Sequence, residues 1–338
     1  MKRNVIFRPK NNIMKLTTVF VLLSGLVFSA SQLTENPQTE ITNGIIKAYL
    51  YLPDAENGYY RATRFDWSGI ISSLEYDGHT YFGQWYKKYS PTIHDAIMGP
   101  VESFSPLNYD ETKSGGTFVQ IGVGVMTKPD EKKHNAFNLY PIVDPGKWKP
   151  KKEADKVQFT QVLNDDKYSY EYTKTVQLIK GKPEMVLSHI LKNTGNRTID
   201  TKVYNHNFFV IDNQPTGKGF ELIFPKNVSG TGRGIGDIAE IQGNKIIFKR
   251  NLVKGESIYC SSLEGINNSI KDFDIKIENH ITGAGARITG DQPLSRLVLW
   301  GSSTTLCPET YISIKLEPGK EFSWKYFYEF YTFNIENE

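Results

Sequence analysis

The 338-residue chain predicts an all-β protein, a large antiparallel β-sandwich. Apolar residues recur with period two along nearly every regular stretch, and Gly, Pro, Asn and Asp separate the stretches. No amphipathic run sustains more than a turn or two of helix. Without crossover helices a parallel α/β sheet has no connections, so the strands must pair antiparallel and stack.

The first residues stand apart from this pattern. Lys2, Arg3, Arg8, Lys10 and Lys15 precede an apolar run, Leu16 to Phe28, which ends at Ser29, Ala30 and Ser31. A positive start, an apolar stretch and small residues make an export signal with its cleavage site; Met14 offers a second start. The apolar run falls short of the ~20 residues that span a bilayer. No cysteine follows it, which argues against a lipid anchor. Residues 1–30 therefore read as a signal peptide, 31–44 as a flexible segment and 45–338 as one β-sandwich domain. The expected location is the periplasm or the exterior, with no membrane association after cleavage.

Residues 1–30 hold five basic and no acidic side chains. Without them 35 basic residues meet 37 acidic ones, and the net charge moves from +3 to −2. No basic cluster interleaved with aromatics remains, which excludes a nucleic-acid face. Cys260 and Cys307 are the two cysteines, and one bridge or two buried thiols both fit. CxxC and HExxH are absent, so no zinc site is predicted, and no cofactor; a bound calcium is left open.

Taken in order, Phe65 to Tyr76 leads through Asp77-Gly78 into Thr80 to Tyr86, a hairpin signature. Strands follow at 117–126, 157–163, 168–179 and 185–192, separated by Asp165-Asp166, by Lys180 to Pro183 and by Asn193 to Gly195. Further strands are expected at 199–211, 220–224, 245–249, 273–281, 297–301, 311–317 and 322–333. Residues 129–155, charged and proline-containing, read as a long surface loop. In the terminal hairpin Phe322, Trp324, Tyr326, Tyr328 and Phe330 share one face, which reads as the seal of one sheet onto another.

Six histidines can be weighed singly. His206 lies in Tyr204-Asn205-His206-Asn207-Phe208-Phe209, where alternation sends Tyr204, His206 and Phe208 to one face and Asn205 and Asn207 to the other. A strand with hydrogen-bonding groups on both faces is unlike an ordinary core strand, since buried amides and imidazoles need partners. Glu309, between Leu306 and Tyr311, is placed for partial desolvation, which raises a carboxyl pKa and makes it a better proton acceptor near neutrality. Arg64, Asp66 and Ser68 share a face if the stretch is extended, and Trp67 is suited to stacking on a flat ring. His94-Asp95 is a third candidate. His79 and His134 read as solvated, His189 as packed and His280 as undetermined. Gly230-Thr231-Gly232-Arg233-Gly234-Ile235-Gly236 lacks the strand, helix and lysine of a phosphate loop, and reads as a mobile loop over a cleft or a wide turn.

The order of Trp67 to Leu74, the Tyr-x-His-Asn-Phe-Phe strand and the Pro308-Glu309 segment with Leu316-Glu317-Pro318-Gly319 resembles the galactose mutarotase-like (aldose 1-epimerase) superfamily. The resemblance spans most of residues 45–333 and implies its large β-sandwich, the supersandwich. It implies His206 as general acid on a sugar ring oxygen and Glu309 as general base on the anomeric hydroxyl, on opposite sides of the ring. It also implies a second histidine in the first half, often followed closely by Gly and Arg; His94 departs from that pattern. Arg64, Asp66, Trp67, Glu102, Tyr204, Asn205 and Asn207 are then the expected sugar-binding residues, and a mono-, oligo- or polysaccharide the expected partner. Three functions follow: an epimerase, a polysaccharide lyase or a hydrolase pairing Glu309 with Glu102 or Asp66, and a glycan-binding protein without catalysis.

Overall fold

The structure is a computed structural model and describes Met1, residues 36–266 and residues 269–335. The expected signal peptide lies outside the described residues. Residues 36–266 and 269–335 belong to one compact unit. Its regular elements are almost all strands: β1 (Gln38–Thr42), β2 (Ile46–Tyr51), β3 (Ile70–Tyr76), β4 (His79–Phe82), β5 (Gly99–Phe104), β6 (Thr117–Gln120), β7 (Gly124–Thr127), β8 (Ile142–Asp144), β9 (Lys147–Lys152), β10 (Lys156–Leu163) and β11 (Tyr170–Leu178). The second half adds β12 (Glu184–Asn193), β13 (Ile199–Phe208), β14 (Phe220–Ile223), β15 (Ala239–Gln242), β16 (Lys245–Phe248), β17 (Ser257–Cys260), β18 (Asp274–Asn279), β19 (Ala284–Gly290), β20 (Arg296–Ser302), β21 (Thr305–Leu316) and β22 (Glu321–Thr332).

Every ladder between strands is antiparallel. Ten strands form one sheet in the order β15-β16-β14-β18-β19-β22-β12-β11-β10-β9. A second layer holds a five-stranded sheet, β17-β20-β21-β13-β5, and the four-stranded β1-β2-β3-β4. An isolated bridge between Phe82 and Phe209 joins these two pieces. The fold is the expected large antiparallel sandwich. Its main core fills the space between the layers, and β22 contributes Trp324, Tyr326, Tyr328 and Phe330, all buried, with Phe322 packed at the margin. The aromatic face of the terminal hairpin is thus a seal between sheets, as its spacing predicts.

Several local expectations change. Gln38–Thr42 pairs with β2 and is a strand, not part of a flexible segment. Residues 129–155 are no single loop: Lys147–Lys152 pairs with β10 as an edge strand, and its lysines and Pro150 suit an unpaired edge. Asp77-Gly78 turns the β3–β4 hairpin with positive φ at both residues, which Asp and Gly tolerate. Cys260 and Cys307 are free, buried thiols.

A second hydrophobic cluster lies on the outer side of the five-stranded sheet. Tyr60, Phe65, Trp67, Ile97, Val101, Phe118, Phe208 and Cys307 belong to it. The long connections and the small β6-β7-β8 sheet fold over that face. Between this cover and the strands a cavity stays open.

Candidate active site

Alternation decides which side chains reach the cavity. In β13, Ile199 and Val203 point into the main core, so Tyr204, His206 and Phe208 point outward. The β13–β21 register sets His206 opposite Glu309 and Tyr204 opposite Tyr311. The β20–β21 register adds Trp300 opposite Cys307, and β17 sets Tyr259 opposite Trp300. Antiparallel neighbours share a face, so one outer patch of four strands collects His206, Glu309, Tyr311, Trp300 and Tyr259. Arg64, Trp85, Asp95, Phe137 and Arg233 complete the walls from the connections. The cavity measures about 640 Å³, within the ~300–1,000 Å³ usual for ligand sites.

At its floor, Glu309 Oε1 lies 3.4 Å from His206 Nε2. Tyr311 donates its hydroxyl to Glu309 Oε2 at 3.1 Å. The His206 ring stacks on Phe208, with centroids 3.9 Å apart, and meets Phe65 and Trp300 edge-on. Glu309 is 6% exposed and His206 2%. Such burial works against the charged form of each group. It raises the Glu309 carboxyl to about 7, although Arg64, the Tyr311 hydrogen bond and Arg296 pull the other way. Burial, reinforced by the nearby Arg64 guanidinium, holds the His206 imidazole well below the ordinary histidine range.

Arg64 enters from the side. Its guanidinium pairs with Asp95, donates to the Tyr204 hydroxyl at 3.4 Å and lies over the rings of Phe65 and Phe137. Its backbone carbonyl accepts from Ser103 Oγ at 2.8 Å and Gln120 Nε2 at 3.0 Å, which fixes where the arginine starts. His94 Nε2 lies 3.0 Å from the other Asp95 oxygen. His94 therefore stands behind Asp95 and Arg64 and does not line the cavity. Trp85 stacks on Phe208 at 5.1 Å and meets Trp300 edge-on, giving the cavity an aromatic wall.

Of the expected binding residues, Arg64 and Tyr204 line the cavity; five others do not. Glu102, Asn205 and Asn207 face the space between the sheets and are fully buried. Asn205 Nδ2 donates to Glu102 Oε1 at 2.9 Å, and the single Tyr328 hydroxyl proton is shared between Asn205 Oδ1 at 2.8 Å and Asn207 Oδ1 at 2.7 Å. Glu102 also pairs with Lys174 and lies 3.0 Å from His189 Nε2. Asp66 joins the same interior network, accepting from Ser68 and from the Tyr172 hydroxyl at 3.0 Å. The polar residues on the inner face of β13 thus satisfy one another and are not aimed at a ligand. Neither Glu102 nor Asp66 can act as the second carboxylate beside Glu309, which removes the hydrolase pairing. Trp67 is sunk in the second cluster, its Nε1 donating to Ala62 O at 2.9 Å.

Of the other histidines, His189 follows expectation, while His79 and His134 do not. His189 is packed, stacked on Trp324 at 4.6 Å. His79 is not free in solvent but lies 2.9 Å from Asp212. His134 stacks on Tyr140 and borders the cavity, and burial lowers its pKa to about 4. His280 groups with Glu221 and Glu278 in the one cluster of metal-ligand types among the described residues. Lys245 donates to Glu221 and the Tyr331 hydroxyl to Glu278, so those carboxylates are met within the protein. Trp85, Trp300, Phe137 and Arg233 were not foreseen. For Trp300, alternation with its neighbour Leu299 on the inner face would have placed it outward.

A large antiparallel supersandwich with a buried carboxyl–imidazole pair on the floor of an aromatic cavity is the class of protein that these features define. The fold is that of the galactose mutarotase-like and aldose 1-epimerase structures. The chain is similar to the GalM/aldose epimerase homologue of C. elegans, with a TM-score of 0.53, 12% identity, and coverage of 88% of this chain and 99% of that one. An aldose 1-epimerase candidate of Escherichia coli K12 gives 0.51, 13%, 88% and 100%. The Slr1438 protein of Synechocystis sp. PCC 6803 gives 0.53, 12%, 88% and 97%. At such identities the likeness is one of fold. No family model and no curated protein matches the chain in sequence.

Proposed function

We propose that this protein acts on the anomeric centre of a pyranose, interconverting its anomers with Glu309 as base and His206 as acid. The observation that carries this reading is the 3.4 Å contact between Glu309 and His206 on the cavity floor. The anomeric hydroxyl oxygen and the ring oxygen are both bonded to C1, so an acid and a base that serve them belong side by side. The two groups share one wall, and on this reading both reach the sugar from that wall, in place of the expected approach from opposite sides of the ring.

Proton accounting follows from the pair. With one proton shared between them, burial favours the protonated carboxyl beside a neutral imidazole, and the reactive arrangement is the minor tautomer, the Glu309 carboxylate beside the His206 imidazolium. Glu309 takes the proton from O1, His206 gives one to the ring oxygen, the C1–O5 bond breaks and the carbonyl forms. The pair then holds a protonated carboxyl and a neutral imidazole, with its proton count unchanged. Reversal after rotation about C1–C2 closes the ring on the other carbonyl face. Each positioned proton transfer contributes on the order of 10²–10⁴ in rate. Trp85 and Trp300 supply apolar faces for the sugar ring, and Arg64 and Tyr204 supply polar contacts.

An exported location belongs to the same reading, supported by the signal-like pattern of residues 1–31. Proton NMR of freshly dissolved α-glucose, α-galactose and uronic acids tests the activity directly. Anomer equilibration at the buffer rate across that panel overturns it.

A further inference from the structure

Arg233 is the cavity's unmatched charge. It is exposed at the wall, and among the described residues no carboxylate or hydrogen-bond acceptor meets its guanidinium. Arg64, by contrast, is neutralised by Asp95. In the singly protonated state the Glu309–His206 pair carries no net charge, and His134 is neutral near pH 7. One positive charge then remains in the cavity, and Arg233 supplies it.

The chain is built to hold that arginine in place. Its loop does not hang over the cavity; it is laid against β17, where Tyr259 N donates to Arg233 O at 2.9 Å. A Cβ at Gly232 would come within 1.9 Å of Tyr259 O, and one at Gly230 within 2.7 Å of Cys260 Sγ. Gly234 adds a positive φ, 74°. Glycines on both sides of Arg233 thus permit a close backbone approach that side chains would block. The outcome is an arginine whose backbone is anchored to Tyr259 and whose exposed side chain opens onto the same cavity as Glu309 and His206.

Resting on the sugar reading above, we infer that the substrate is an anionic sugar whose carboxylate or phosphate is bound by Arg233. Guanidinium offers several donors in a fork that matches either group, and it stays charged at any working pH. An uncompensated cation at the mouth also attracts an anion from solution, an effect that salt weakens.

The test compares galacturonate with galactose, and glucuronate and glucose 6-phosphate with glucose, by titration calorimetry and by anomer exchange in NMR. The wild type is expected to bind at least one anionic sugar about tenfold or more tighter than its neutral counterpart, with the ratio shrinking at high salt. Arg233→Gln removes the preference and Arg233→Lys restores part of it, while the thermal midpoint stays put. Uronates and the phosphate separate the two anion chemistries. Equal affinity for charged and neutral sugars, no binding of any anionic sugar, or a preference that survives Arg233→Gln overturns the inference. Arg233-dependent binding without anomer exchange keeps this inference and sinks the catalytic proposal; exchange without charge preference does the reverse.

Discussion

Tyr311 donates its hydroxyl to one oxygen of Glu309, and the other oxygen is left toward His206. The two residues are i and i+2 on β21, so the strand's own period brings the hydroxyl to the carboxylate. One consequence is orientation: the carboxylate cannot turn away from the imidazole without losing a hydrogen bond in a nearly dry site. Another is electrostatic, because the bond favours the ionised form and tempers the rise that burial imposes.

On the proposed mechanism, replacing either member of the pair removes one proton transfer. Glu309→Gln and His206→Asn are each expected to lower kcat for anomer exchange at least ~100-fold. The double variant should fall little further than the worse single, because the two act as a unit. Saturation-transfer NMR on the anomeric protons measures the exchange; wild-type turnover in either variant removes that residue from the mechanism.

The pH dependence follows from the singly protonated pair. As pH rises through about 7 the pair loses its proton, so activity falls on that alkaline limb. Since His206 is held well below the ordinary histidine range, the second proton binds only at low pH, and activity is retained over mildly acidic conditions. Tyr311→Phe deletes the bond that favours the carboxylate, so the alkaline limb should move upward. A kcat/KM profile that rises through pH 7 contradicts the assignment.

The same burial has a stability signature. The folded-state carboxyl of Glu309 titrates at about 7 against 4.5 for an unperturbed group. A raised pKa means stability that is full below about 4.5, declines as pH rises through that interval, and stays reduced above about 7. At ~1.4 kcal/mol per unit the ionised carboxylate costs the fold about 3 kcal/mol. Glu309→Gln should therefore raise the urea midpoint at pH 8 and give no gain at pH 4. An unchanged midpoint at both values contradicts the burial argument.

How far these features could be read from the residues differs by case. Period two assigned Tyr204, His206 and Phe208 to one face, because a strand's alternation is local information. Pairing His206 with Glu309 needed the sheet order, since β13 and β21 are neighbours in space but about a hundred residues apart; a family resemblance supplied what periodicity lacks. Arg64 and Asp66 failed for a local reason. Residues 61–69 are not a strand, so alternation does not apply and the two side chains part. Glu102, Asn205 and Asn207 looked like site residues because they are polar in an apolar context. That signal is equally what an interior hydrogen-bond network produces.

Gly232 is a test of how the cavity rim is held. A methyl at this position would lie 1.9 Å from the Tyr259 carbonyl oxygen, a backbone atom that cannot swing aside, so the loop must lift off β17. Gly232→Ala is expected to break the bond from Tyr259 N to Arg233 O, and hydrogen exchange at the Tyr259 amide should accelerate at least ~10-fold, while amides in β12 and β22 keep their protection. Unchanged exchange at Tyr259 shows that the loop accommodates a side chain.

Lys174 shows where the interior is most exposed to substitution. Its ammonium, fully buried, pairs with Glu102, donates to Ser68 O at 3.0 Å and stands 3.9 Å from Asp66. Lys174 and His189 hold the Glu102 carboxyl low against the burial that opposes it, while burial lifts Asp66 above the ordinary carboxyl range. Lys174→Met leaves a buried carboxylate without its main counter-charge, which typically costs about 3–5 kcal/mol. Adding Glu102→Gln removes the stranded charge and keeps the amide oxygen that Asn205 can reach, so the double variant should recover most of the loss. Urea unfolding of the two variants measures this at unchanged slope. Because the network lies on the inner face of β13 and the acid–base pair on the outer, the folded double variant should still exchange anomers. If Lys174→Met unfolds at the wild-type midpoint, the interior charge is compensated by groups other than this lysine.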